Sequence, residues 1–166
     1  MAEENQPAQG QAEGRAQEQQ FSIQKLYLKD VSFESPNVPT VFADGEWQPE
    51  VNIQLNSSNK SIGQDTFEVD LKITVTAKQN KKTAFLVELT QSGIFTVAGF
   101  EQDNLRGMLG AFCPETLFPF AREAIAELVS KGGFPPLLLA PVNFNALYMQ
   151  QAQQQQAAAA AQDTAH

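Results

Sequence analysis

The sequence predicts an α+β domain, a four-stranded antiparallel sheet with helices packed on one face. Three observations carry this. Phe67, Val69, Leu71, Ile73 and Val75 alternate with Glu68, Asp70, Lys72, Thr74 and Thr76, a period of two over ten residues. The links between strand-like segments are too short for the crossover of a dozen or more residues that parallel pairing needs. No helical pattern separates those segments, and helix-like spacing begins only near Gln102.

Between Phe21 and Glu34 the residues alternate, but the apolar parity slips twice. Phe21 and Ile23 share one face, Leu26 and Leu28 the other, and Val31 and Phe33 return to the first. Either a bulge or cover on both sides would produce this. Ser35-Pro36-Asn37 and Pro39 end the strand, and Val38 to Glu50 is irregular, with Phe42 and Trp47 as its large side chains. Such an aromatic pair either plugs an end of the core or lines a groove. Val51, Ile53 and Leu55 mark a short half-buried strand, with a turn expected at Asn56 to Asn59. After the third strand, a turn near Lys78 to Lys82 leads to the fourth. There Phe85, Val87 and Leu89 share one face, and Leu86, Glu88 and Thr90 the other. Apolar residues on both faces predict cover on both, by helices on one side and a second copy of the chain on the other. Gly93 is expected to interrupt that strand.

A helix is predicted over Gln102 to Phe112. A longer one runs from Pro114 or Phe118 to Lys131, with Leu117, Ala121, Ala124, Ile125 and Leu128 as its apolar stripe. Pro119 lacks an N–H, so the regular helix is expected to start or kink near Phe118. Lys131 and Gly132 supply the stop. Asn143 can cap a final helix carrying Leu147 and Tyr148, and the Gln/Ala run after Met149 has the propensity to extend it without packing on anything.

The chain of 166 residues thus divides into three parts. Residues 1–20 form an acidic, Gln-rich tail and residues 150–166 a Gln/Ala-rich tail, expected as disordered or a frayed helix. Neither can bury enough apolar surface to offset its ordering entropy. Residues 21–149 form one domain. Net charge is −8, from 11 basic and 19 acidic residues. That balance argues against a phosphate-backbone binder, so no nucleic-acid partner is expected. The N-terminus lacks the basic start and apolar run of a signal peptide, and no apolar run reaches the ~18 residues of a membrane span. A cytoplasmic protein without membrane insertion is expected.

Catalytic chemistry has little to stand on. The one histidine, His166, ends the polar tail, and the one cysteine, Cys113, reads as a small core residue at a helix end. Neither a histidine-activated nucleophile nor a thiolate metal site can be assembled. Glu123 and Glu127, one turn apart, read as a solvated helix edge rather than a catalytic pair. Gly107-Met108-Leu109-Gly110 has neither the spacing nor the Lys-Ser/Thr of a phosphate loop. No enzyme, cofactor or metal is predicted.

What remains is surface. Gly132 to Phe144 contains Pro135, Pro136 and Pro141, so it is loop, yet only Asn143 in it is polar. Loops normally run over the surface and are polar. This one is either a buried crossover between helices or a proline-stiffened apolar wall that loses little entropy when a partner docks. Aromatics on loops suit an extended peptide better than a small metabolite.

Several segments together resemble one family. They are DVSFESPN at 30–37 with Pro39, Phe42 and WQPE at 47–50, then GIFTVAG at 93–99 and LGAFCP at 109–114. LFPFARE at 117–123, GFP at 133–135, LAPVNF at 139–144 and ALY at 146–148 complete the set. The chain resembles SecB, the bacterial export chaperone, over roughly Phe21 to Met149. The resemblance implies an ATP-independent chaperone that holds unfolded precursors in hydrophobic grooves and delivers them to the SecA ATPase. It also implies a tetramer built as a dimer of dimers. Carried over residue by residue, the client groove is Trp47, Phe134, Leu137, Leu139, Val142, Phe144 and Tyr148. The SecA-docking positions are Asp30, Glu34, Leu86 and Glu88, and the tetramer contact is Phe85, Val87, Leu89 and Gln91. The tails depart from the family pattern, which leaves a tail contact with SecA open. Two other readings share these features, a carrier for a small apolar ligand and a SecB-like chaperone dedicated to one toxin–antitoxin pair.

Overall fold

The computed structural model of the chain describes residues 18–163. Most of the predicted N-terminal tail, residues 1–17, lies outside the described residues, as does His166. Four strands, β1 (Gln20–Glu34), β2 (Glu50–Gly63), β3 (Thr66–Gln79) and β4 (Lys82–Ala98), form one sheet in the order β1-β4-β3-β2. Every neighbouring pair is antiparallel. The helical half runs without a break through α1 (Gln102–Gly107), a π-helical turn (Met108–Phe112) and α2 (Cys113–Lys131), and α3 (Phe144–Asp163) follows the proline loop.

The core lies between one sheet face and α2. Pairing of Val75 with Val87, Ile73 with Leu89 and Phe67 with Phe95 lays the apolar parity of β3 beside that of β4. Against it α2 sets Cys113, Leu117, Ala121, Ile125 and Val129, all fully buried at i, i+4, i+8, i+12 and i+16. Burial pushes the Cys113 thiol up to about 12, so it is an inert core residue.

Strand β1 resolves its slipping parity with bulges. The register shifts between Ile23 and Lys25 and again between Leu28 and Asp30. The pairs Ile23–Phe95, Leu28–Gln91, Val31–Leu89 and Phe33–Val87 therefore put every apolar residue of β1 on the helix side.

Three local expectations are corrected. Strand β2 runs through Asn56 to Asn59, and its turn lies at Gln64–Asp65, where Asp65 adopts φ 51°. As an exposed edge strand it needs no apolar side chains to continue, because β3 supplies its hydrogen bonds. Gly93 does not interrupt β4. A Cβ there would sit 2.7 Å from the Phe95 ring and 3.1 Å from Leu117, so the glycine makes room for α2 to approach. Helix α2 begins at Cys113 and continues through Pro119. Glu115, four residues earlier, is exposed, so water can satisfy the carbonyl that Pro119 leaves unpaired. Residues 150–163 continue α3, in keeping with the helix propensity of the Gln/Ala run.

Candidate functional site: two faces of one sheet

One helix cannot cover this sheet. Four strands at about 4.8 Å spacing place the outer two roughly 14 Å apart, whereas a helix with its side chains is about 10 Å wide. Helix α2 lies over the central strands, and the apolar rows at both flanks stay open. On the β1 flank Ile23, Leu28 and Val31 are 40–50% exposed, near Phe112, whose ring packs edge-on to Phe21, and Phe120 of α2 is also exposed. On the β2 flank Val51 and Ile53 are 38% and 41% exposed. Their pairing with Ala77 and Val75 puts them on the helix side.

The proline loop borders the β2 flank. At its start Phe134 packs on Trp47, Phe85 and Phe42, with ring centroids 5.1–5.2 Å apart. At its end Phe144 packs edge-on to Phe118 at 5.5 Å and shares a small cleft with Leu55, Leu71 and Tyr148. Phe134, Leu139 and Phe144 are buried, whereas Trp47, Leu137, Val142 and Tyr148 are half-buried against the core. Of the seven groove positions expected from the sequence, the first three therefore anchor the loop, and the other four reach its surface. Leu138, 76% exposed, is the most open large apolar side chain among the described residues, and sequence reading passed over it. Nothing in three consecutive leucines of a proline loop says which one faces solvent. The cleft beside α3 is also open, about 810 Å³ between Asn59, Leu109, Gly110, Tyr148 and Met149.

The four expected assembly residues lie in the core of the single chain. Phe85, Val87, Leu89 and Gln91 are 1%, 0%, 0% and 4% exposed in the single chain. They face α2 rather than solvent, and Gln91 donates a hydrogen bond to the Tyr27 carbonyl at 3.1 Å. The second face of β4 is also mostly polar, with Glu88, Thr90, Ser92 and Thr96 against Leu86 and Ile94. The unsatisfied apolar surface lies at the flanks instead.

Asp30, Glu34, Leu86 and Glu88 all point to that second, helix-free face. Glu34 pairs with Leu86, Ser32 with Glu88 and Asp30 with Thr90, so the four positions form one patch across β1 and β4. Further along the face lies a polar network that sequence reading missed. Lys29, carried by the second bulge of β1, reaches across β4 to Glu68 at 3.0 Å and Asp70 at 2.9 Å on β3. Lys60 of β2 holds the other Glu68 oxygen at 2.8 Å, the Tyr27 hydroxyl donates to Glu68 at 2.5 Å, and Ser92 donates to Asp70 at 2.6 Å. Lys60, Tyr27 and Lys29, in that order of effect, lower the Glu68 carboxyl from its ordinary 4.5 to about 2. Burial, then the bond to Glu68, pushes Tyr27 up to about 12. The network sorts the acids. Glu68 and Asp70 are saturated from within, whereas Asp30 and Glu34 make no ion pair among the described residues. Glu88 has only Lys72, at 3.9 Å.

Comparison with known proteins agrees with this architecture. The family described as preprotein translocase subunit SecB matches residues 14–155. The chain is 55% identical over 163 residues to the protein-export protein SecB of Nitrosococcus oceani, covering 98% of both chains. It is 53% identical over 153 residues to that of Methylococcus capsulatus, covering 92% of both. Among solved structures it is similar to a SecB-like chaperone of Mycobacterium tuberculosis in complex with an antitoxin peptide. That match has TM-score 0.61 and 16% identity over 74% of this chain and 90% of that one, a likeness of fold. No helix of the described residues is long and apolar enough to cross a membrane. A match over most of the chain, two relatives above half identity and a shared fold together place this protein in the SecB family of protein-export chaperones, which are not enzymes.

Proposed function

We propose that the chain is an ATP-independent cytoplasmic chaperone that captures unfolded precursors on its open apolar flank and hands them to the SecA ATPase through its acidic face. The observation that carries the reading is the exposure of the aliphatic side chains of β2 and of the proline loop, Val51, Ile53 and Leu138. Apolar burial is non-directional, so such a surface suits many sequences and requires no nucleotide. The clefts are open rather than enclosed, which favours extended polypeptide over a small apolar ligand. Trp47, Leu137, Val142 and Tyr148 complete the client surface, with Phe134, Leu139 and Phe144 holding its wall in place. Asp30, Glu34 and Glu88 around Leu86 dock SecA, because these acids keep charge to offer a basic partner. Assembly as a dimer of dimers uses the β1 flank, where Ile23, Leu28, Val31 and Phe120 stand open.

Leu139 and Phe144 are core residues, so substituting them tests folding; Ile53 and Leu138 test binding. The double variant Ile53→Ser, Leu138→Ser should weaken capture of a slow-folding precursor about thirtyfold, with circular dichroism unchanged. Each side chain is worth roughly 1 kcal/mol of transfer on partial burial. Unchanged capture by the folded variant would refute the assignment of this flank to clients. For the acidic face, Asp30→Lys, Glu34→Lys, Glu88→Lys should cut SecA affinity more than tenfold while client capture survives. An affinity within a factor of two of the parent would refute docking there.

A further inference from the structure

Resting on the reading of the acidic face as the SecA-docking site, we propose that Lys72 attenuates that docking by competing with the partner for Glu88. Lys72 stands on the helix-free face of β3, half exposed, with Nζ 3.9 Å from Glu88 Oε2. It pairs with Thr90, which pairs on its other side with Asp30. Lys72, Thr90 and Asp30 thus form one lateral row, about 10 Å across two strand spacings.

The other lysines of this face are differently placed. Lys29 and Lys60 are held at 2.8–3.0 Å by Glu68 and Asp70. Lys78, nearer the end of β3, makes no ion pair among the described residues, and Lys25, paired with Ile94, lies six residues along β4 from Glu88. Lys72 alone combines contact with one docking acid and proximity to a second. At 3.9 Å its bond to Glu88 is too long for a hydrogen bond, so an incoming guanidinium with two aligned donors can displace it. The partner's cation must then approach beside a like charge. Lys72 therefore lowers affinity without blocking docking, as a chaperone that must release its partner requires.

The test is Lys72→Met, which keeps the aliphatic stem and removes the charge, with SecA affinity measured by calorimetry at 0.15 M salt. Binding should tighten two- to fivefold, the scale on which exposed ion pairs shift equilibria. Lys60→Met is the control for net charge. Glu68, the anchor of Lys60, pairs with Ile94, six residues from Glu88, or about 20 Å along the strand. That exceeds the Debye length of about 8 Å, and Lys29 and Tyr27 still hold Glu68. Affinity of the Lys60 variant should stay at the parent's value. If Lys72→Met binds SecA no tighter than the parent, or if both variants tighten equally, the proposal is overturned. Failure of the docking reading itself looks different: the parent does not bind SecA, or the triple lysine variant binds like the parent, and the role of Lys72 falls with it.

Discussion

Replacing Val87 by Ala separates a core residue from an interface residue. Val87 has no accessible surface in the single chain and pairs with Val75 and Phe33 beneath α2. Two methyl groups leave the core, at about 0.8 kcal/mol each in transfer terms. A cavity remains because α2 cannot collapse onto one position, which brings the total to roughly 2–3 kcal/mol. With a urea slope near 2 kcal/mol per M, the unfolding midpoint should fall by about 1 M. Trp47 reports the transition directly. It is the single tryptophan, and its ring lies 6.4 Å from that of Phe85, two residues from Val87. Urea titration followed by its fluorescence gives the stability change, and light scattering on dilution gives the association constant. Val87→Lys should fail to fold rather than yield a smaller assembly, since an unpaired ammonium has no route to water there. A Val87→Ala protein that loses less than about 0.5 kcal/mol of stability yet dissociates tenfold more readily would refute this reasoning, placing the side chain against another copy.

Two further perturbations follow from the flanks and the polar network. Leu28→Glu, on the open β1 flank and half exposed in the single chain, should reduce the mass by light scattering while leaving the far-ultraviolet spectrum unchanged; an unaltered mass would move assembly elsewhere. Glu68 has a folded pKa depressed from 4.5 to about 2, so its contribution to stability is complete above pH 4.5 and is lost as pH falls toward 2. Glu68→Gln should therefore flatten the acid loss of stability across that window by about 1–2 kcal/mol, allowing for solvent screening of the lysines. Equal losses in urea titrations of parent and variant at pH 5 and pH 3 would show that the network contributes nothing.

Period-two and helical spacing announce themselves where one face is fully buried, and there the sequence was legible. The stretch Phe67 to Val75 and the stripe through Leu117, Ala121 and Ile125 both lie in the core. Legibility fails where structure rests on something other than side-chain burial. Strand β2 beyond Leu55 is polar because it is an edge, held by backbone bonds that leave no mark in the side chains. Pro119 resembled a helix boundary because sequence shows a missing N–H but not that Glu115, one turn earlier, stands on the exposed side of the helix. At the candidate site the aromatic anchors of the proline loop could be found from composition alone. The four residues Phe85 to Gln91 could not be placed, because apolar residues on both faces of a strand do not say which face the helix takes. Lys29 was hidden for a related reason: its reach depends on a bulge that the parity slip implies but does not locate.

The helix-free face had to be polar for the other face to remain useful. A chain that leaves apolar rows open at both flanks already exposes the surface that drives association. Apolar residues across the second face of β3 and β4 would add a third such surface, with nothing to cover it. The network from Lys29 to Lys60 avoids this by spanning all four strands. Its carboxylates are saturated by the chain's own cations, so that part of the face neither gathers clients nor attracts a basic partner. The acids still open, Asp30 and Glu34, stand toward the other end of β1. The Lys29 bulge separates the two regions. It turns one cation inward to Glu68 and Asp70, and sets the next residue, Asp30, free to face outward. One extra residue in an edge strand thus keeps the apolar row of β1 in register on the helix side and divides the charge on the opposite face.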